Sequence, residues 1–364
     1  MAKYEALFTP FKIGNCEIRN RVIIPAMEGT NIVENMYGPH YNEKAWDYYI
    51  ERSQNEVGLF IPGMIPVYSM MMGKWLHKNP KPFRQAKPLI DEIHKNGAKI
   101  FFQLGAGFAG RNYTIMPQFI DVAKKPWLKK LTNPLLHLNE MMVAPDDGLP
   151  LAWAPQLSTR ALTVQEIQDY IEGYAKSAKL CKDIGVDGVE VHAVHEGYLM
   201  DQFTLKYNNH RTDEYGGSFE NRYRFAAEVV KAIKRECGED YPVMLRYSVT
   251  SKVIDFKVGA VPGEEFTELG RDMEESEKAA KYLQDAGYDA LNCDNGTYDS
   301  WYWAHPPVYM PLNCNLSEAE HISQFVDIPI IVAGKMQPDA AESSIKAGKI
   351  EEAMKAQEEL VWPY

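Results

Sequence analysis

Residues 187–225 read DGVEVHAVHEGYLMDQFTLKYNNHRTDEYGGSFENRYRF, and this stretch decides the fold. It opens as a short buried strand, Gly188-Val-Glu-Val-His192, whose alternating and β-branched apolar residues suit a pleated surface. It breaks at Glu196-Gly197 and presents His192, His195 and Tyr198 close together. Two imidazoles and a phenol at the C-terminal end of a strand can handle protons and donate to an oxyanion. A lone His or Tyr there would read as a locally satisfied polar residue. Three together, followed by a segment too rich in Asn, Arg, Asp and Gly to be core, read as a functional site.

On both sides of this strand the chain alternates short apolar strands with amphipathic helices. Before it come strands at 21–27, 57–61 and 98–104, ending respectively in Glu28-Gly29-Thr30, Pro62-Gly63 and a glycine-spaced loop. Helical periods at 43–57 and 84–96 separate them, and Gly97 stops the second. Thr163-x-x-Glu166 is a capping-box signature for the helix that leads into the opening strand. After it come strands at 242–247, 289–293 and 328–332, with helices at 219–236, 272–285, beyond Ser317-x-x-Glu320, and at 338–347. Residues 107–160 lack a clear period. They read as an insertion, either over a pocket mouth or as an edge-packing decoration.

Seven strands, most followed by a helix, imply a parallel sheet with right-handed crossovers. A doubly wound sheet and a closed barrel both fit that alternation. His192, Tyr198, Glu28, Gln103, Arg246 and the Asn292-Cys-Asp294 loop lie at the C-terminal ends of many different strands. A closed (β/α)8 TIM barrel gathers those ends around one pocket, whereas an open sheet spreads them. The expectation is therefore an α/β chain forming a single barrel domain over 1–364, with the 107–160 insertion after strand three. Strand eight is not identifiable at the C-terminus: after Gly348 the chain reads KIEEAMKAQEELVWPY, helix-forming and without a β-branched run. Residues 350–364 thus read as an atypical tail.

With 364 residues, 45% hydrophobic and 24% charged, the composition is that of a globular protein with a large core. A net charge of −11 argues against nucleic acid or an anionic membrane as partner. No apolar run approaches the roughly 20 residues that span a bilayer. The N-terminus lacks the basic start and apolar core of a signal peptide. Five scattered cysteines suit reduced cytoplasmic thiols and speak against a metal or iron–sulfur site made by this chain alone.

The opening stretch resembles the signature of the Old Yellow Enzyme family of FMN-dependent NADH:flavin oxidoreductases. The matching residues are His192, His195, Gly197-Tyr198-Leu199, Gln202-Phe203, and the run from Asn209 through Arg211, Asp213, Tyr215-Gly216-Gly217-Ser218, Glu220-Asn221-Arg222 and Arg224-Phe225. Glu196 is an extra residue relative to that pattern. Weaker similarity runs from about Leu7 to about Lys349, and its flavour is that of the anaerobic-bacterial 2-enoate and 2,4-dienoyl-CoA reductases, FMN-barrel portion only. The resemblance implies an eighth strand ending in a Gly-Arg that helps hold the FMN phosphate, and neither is visible. Larger members continue into iron–sulfur, FAD and nicotinamide-binding domains that this sequence does not contain. That makes the chain a shortened or divergent member, a truncated chain, or one whose tail closes the barrel differently.

The resemblance also implies a reaction. Hydride passes from N5 of the reduced flavin to the β-carbon of an α,β-unsaturated carboxylate, thioester or ketone, with NADH or NADPH as reductant. His192 and His195 then donate to the substrate oxygen. Tyr198, a phenol with an ordinary pKa near 10, gives the proton. Ala26, Met27, Glu28, Gly63, Gln103, Arg246, Gly334 and Lys335 are the implied flavin contacts, with Lys335 standing in for part of the missing arginine's charge. Tyr298, Trp301 and Trp303 either wall a flat apolar substrate or form a packing cluster. Arg211, Asp213, Tyr215, Asn221 and Arg222 read as a structural network. The alternative is a non-catalytic remnant that holds FMN weakly and needs a partner chain, such as an electron-donor flavoprotein or the missing C-terminal domains.

Overall fold

The computed structural model describes residues 4–27, 29–69, 71–107, 117–193, 199–350 and 352–354. Eight parallel strands close on themselves: β1 Val22–Ile24, β2 Leu59–Phe60, β3 Lys99–Gly105, β4 Gly188–His192, β5 Val243–Ser248, β6 Ala290–Asp294, β7 Ile330–Val332 and β8 Glu352–Met354. Each pairs with the next, and β8 pairs with β1 through Ala353↔Val22 and Met354↔Ile23. Seven helices make the crossovers: α1 Ala45–Ser53, α2 Lys81–Lys95, α3 Val164–Asp183, α4 Phe219–Cys237, α5 Met273–Ala286, α6 Leu316–Ile322 and α7 Pro338–Lys346. The fold is a TIM barrel.

The eighth strand, not identifiable in the sequence, falls in the tail that read as helix-forming, at Glu352–Met354. It is three residues long and carries no β-branched side chain, so propensity hides it. It is held by main-chain pairing to β7 on one side and β1 on the other, and such context overrides intrinsic preference. Ser317 is a smaller correction. It lies inside α6, which starts after Asn315, and its hydroxyl donates to Glu318 rather than capping the helix. Thr163, by contrast, forms the full capping box with Glu166.

The longer strands β4, β5 and β6 are buried at every position because helices cover one face and the barrel interior the other. Outward-facing residues such as Val189, Val191, Leu245 and Leu291 join the helices in the main core. Inward-facing Ile23, Leu59, Phe101, Met244, Ala290 and Ile331 form a second cluster with Phe11, Ile13 and Ile18. The last three come from an antiparallel hairpin, Phe11–Ile13 with Cys16–Ile18, that turns at Gly14. The hairpin immediately precedes β1 and so plugs the N-terminal end of the barrel. Arg19 secures it by donating to the carbonyls of Asn55, Val57 and Asn96.

The segment after β3 folds into short helices, Pro117–Ala123, Pro126–Leu136 and Leu138–Met141, and small strand pairs. It is tied to loops on the opposite, C-terminal side of the barrel. Lys257 donates to the carbonyl of Ala152 and stacks over the Trp153 ring, while Arg211 donates to the carbonyl of Pro145.

Candidate functional site

Side chains on a strand alternate faces. Since Phe101, Met244 and Ala290 point into the barrel, so do Gln103, Arg246 and Asn292 two residues on. On β4 the register places Glu190 beside Gln103, and His192 beside Gly105 and Arg246. The result is a buried polar layer directly above the apolar plug. Gln103 Nε2 donates to Glu190 Oε1 at 2.5 Å, and Asn292 Nδ2 donates to Glu190 Oε2 at 2.7 Å. Arg246 Nε and Nη2 donate to Asp294 Oδ2 at 3.0 and 2.5 Å. Burial pushes the Glu190 carboxyl up, and Arg246 and the two amides oppose that push. Burial alone would lower Arg246, but Asp294 and Glu190 outweigh it and hold the guanidinium charged.

The residues named from the sequence are distributed as follows. His192, Gln103 and Arg246 come together in this layer or at its upper edge. Ala26 and Met27 are half-buried just beyond β1, and Ala26 packs on the inner cluster. Glu28, His195 and Tyr198 lie outside the described residues. A side chain at Gly63 would run into the Met27 carbonyl and the Asn31 side chain, so its smallness serves packing between two protein segments. Gly334, with φ +123°, likewise backs onto the Asn315 amide.

The Lys335 ammonium donates to the carbonyls of Pro307, Val308 and Met310 at 3.3, 2.7 and 2.6 Å, which commits its charge to a turn. Trp303 is buried, donates from Nε1 to the Ala260 carbonyl at 2.7 Å and lies under Lys252 Nζ at 4.9 Å. These contacts pack the indole between the loops after β5 and β6. Trp301 is exposed and Tyr298 half-buried.

The loop after β4 is pinned as the signature residues suggested. Arg211 pairs with Asp213 and donates to the carbonyls of Pro145 and Leu162; Tyr215 donates to Glu228; Asn221 donates to the Gly216 carbonyl. Arg222 makes a two-armed pair with Glu275 at 2.7 and 2.9 Å. Sequence reasoning missed the Asp201–Arg271 pair, fully buried at 2.6 Å, through which Arg271 also reaches Thr204, Tyr223 and the Ser248 carbonyl. It also passed over Glu190, although a Glu at an inward position of an apolar strand was a readable signal. Among the described residues there is no cluster of three or more His, Cys, Asp or Glu that would hold a metal, and no helix long and apolar enough to cross a membrane.

A closed eightfold barrel with a charged, hydrogen-bonded layer at the C-terminal ends of its strands is the architecture of a TIM-barrel enzyme. Over residues 6–352 the chain matches the NADH:flavin oxidoreductase / NADH oxidase family, and it belongs to that family. It is 41% identical over 355 residues to the cinnamate reductase of Clostridium sporogenes, covering 95% of this chain and 50% of that protein. It is 32% identical over 355 residues to an NADH oxidase of Thermoanaerobacter brockii, covering 96% of this chain and 48% of that one. The chain thus spans about half the length of these two relatives. Among solved structures, an old yellow enzyme homologue from Zymomonas mobilis superimposes with a TM-score of 0.68 at 22% identity, covering 96% of this chain and 88% of the other. At that identity the likeness speaks for the fold alone.

Proposed function

We propose that the chain, acting as one barrel unit, binds FMN at the mouth and is an NAD(P)H-linked ene-reductase for an α,β-unsaturated carboxylate, thioester or ketone. The observation that carries this reading is the buried layer of Gln103, Glu190, Arg246, Asn292 and Asp294, one register step from His192, in a member of a flavin oxidoreductase family. The donor set fits an isoalloxazine. Its imide edge offers one N–H between two carbonyls. A guanidinium beside an amide carbonyl is the complementary pattern. Asn292 Oδ1, buried and without a hydrogen-bond partner among the described residues, is a further acceptor in the same layer.

Bound there, FMN would supply the hydride, from N5 to the β-carbon of the alkene. His192 and His195 would donate to the substrate's carbonyl or carboxylate oxygen, where negative charge develops. Tyr198 would give its proton to the α-carbon. Glu28, a carboxylate beside the expected flavin position, would be protonated or turned away. Trp301, exposed after β6, would cover a flat substrate, and the cinnamate reductase relative makes an aryl enoate the first substrate to try. The test is enoate reduction by the FMN-loaded chain and its Tyr198→Phe variant. Wild-type rates for the variant, with unchanged flavin reduction, would remove Tyr198 as the proton donor.

One observation favours the second reading, a barrel that needs a partner. The Lys335 ammonium already donates to three carbonyls, which commits its charge to a turn. Riboflavin binding as tightly as FMN would support that reading, because the phosphate would then contribute nothing.

A further inference from the structure

We propose that Glu190 is a positioning residue that fixes the hydrogen-bond polarity of the site: it holds the NH2 groups of Gln103 and Asn292, so that both amides present carbonyl oxygens and the site takes a ligand edge bearing an N–H donor. This rests on the FMN reading and deepens it, since the donor would be the N3–H of the flavin imide. The geometry comes from three adjacent strands. One carboxylate, on β4, receives an amide of β3 on Oε1 at 2.5 Å and an amide of β6 on Oε2 at 2.7 Å. Glu190 is fully buried and makes no other hydrogen bond among the described residues, so both its oxygens are spent on this task.

A carboxylate only accepts, whereas an amide both donates and accepts. Each amide must therefore turn its NH2 toward Glu190 and its oxygen away. Gln103 Oε1 and Asn292 Oδ1 have no partner among the described residues, and the latter is buried. Without Glu190 each amide would be free to flip, and the layer would no longer distinguish a donor from an acceptor. Arg246 and Asp294 neutralise each other beside it. Glu190 is thus the one acid of the layer not paired directly to a cation.

The test uses FMN labelled with nitrogen-15 at N3 and bound to the full chain. In the wild type, exchange of the N3 proton with water should be slowed at least about tenfold relative to free FMN, the worth of one hydrogen bond. In Glu190→Gln, which keeps the shape but can donate, that protection should fall about tenfold while FMN stays bound. Retained FMN with unchanged protection in the variant would overturn the polarity assignment alone. Failure of the wild type to retain FMN would overturn the flavin reading as well. Should the variant not fold, the wild-type complex decides. Its Gln103 side-chain NH2 must couple to Glu190 and not to the flavin, and the reverse coupling would overturn the proposal.

Discussion

Below its middle, the barrel is filled by Phe11, Ile13, Ile18, Leu59, Phe101, Met244 and Ile331, side chains that need volume but no partner. Above its middle, Gln103, Glu190, Arg246, Asn292 and Asp294 fill the same cylinder with polar and charged side chains, each of which holds at least one hydrogen-bond partner. The strands are continuous through both halves, so the change of chemistry occurs within two residues of one strand: Phe101 to Gln103, Met244 to Arg246, Ala290 to Asn292. An apolar interior tolerates changes that conserve volume. A polar one fails when a single partner is lost. The hairpin-plugged end is therefore where stability is robust, and the other end is where it is most easily lost.

The largest expected effect breaks the upper half. Asp294→Ala leaves the Arg246 guanidinium buried without its counter-ion and should destabilise the chain by about 3–5 kcal/mol in urea unfolding. Replacing both residues, Arg246→Met with Asp294→Leu, should recover much of that loss while abolishing FMN binding. Recovery of both would mean the pair has no role in the site. In the lower half, Leu59→Ala should cost about 2–4 kcal/mol and leave FMN affinity unchanged under conditions where the variant is folded. A matching loss of affinity would show that the two halves are not independent.

A smaller effect concerns acid. Burial would raise the Glu275 carboxyl, but the Arg222 pair overcomes it and holds it down to about 2. Because the folded value lies below the ordinary one, the pair's stabilisation is present above about pH 4.5 and is lost as pH falls toward 2. Glu275→Gln should flatten that limb of the stability curve by about 1–2 kcal/mol after allowance for partial screening. The smallest effect is at the rim. Trp301→Ala should change stability by less than about 0.5 kcal/mol and raise KM for an aryl enoate with little change in kcat.

Much of this was legible in sequence for a physical reason: periodicity and capping are local. The alternation of strands and helices, the Thr163–Glu166 box and the role of Arg211 with Asp213 are written in neighbouring residues. Arg246 could be picked out because a charged residue inside an apolar strand needs an explanation, and Gln103 because it ends the third strand at a position the family resemblance implies. What stayed hidden was decided by distant partners. Glu352–Met354 becomes a strand only because β7 and β1 flank it. Lys335 looks like an anion binder until the 307–310 turn comes round to meet it. Glu190 shows its use only when β3 and β6 bring their amides to it.

The most direct test of the central claim, that the upper layer is an FMN cradle, is the visible absorption spectrum of the purified chain after addition of FMN and removal of the excess. The expected result is a retained flavin spectrum, bleached by dithionite and restored by an enoate, with Arg246→Met/Asp294→Leu emerging colourless and Leu59→Ala emerging yellow. A wild-type chain that comes through colourless, or a double variant that holds FMN as tightly as the wild type, would contradict it.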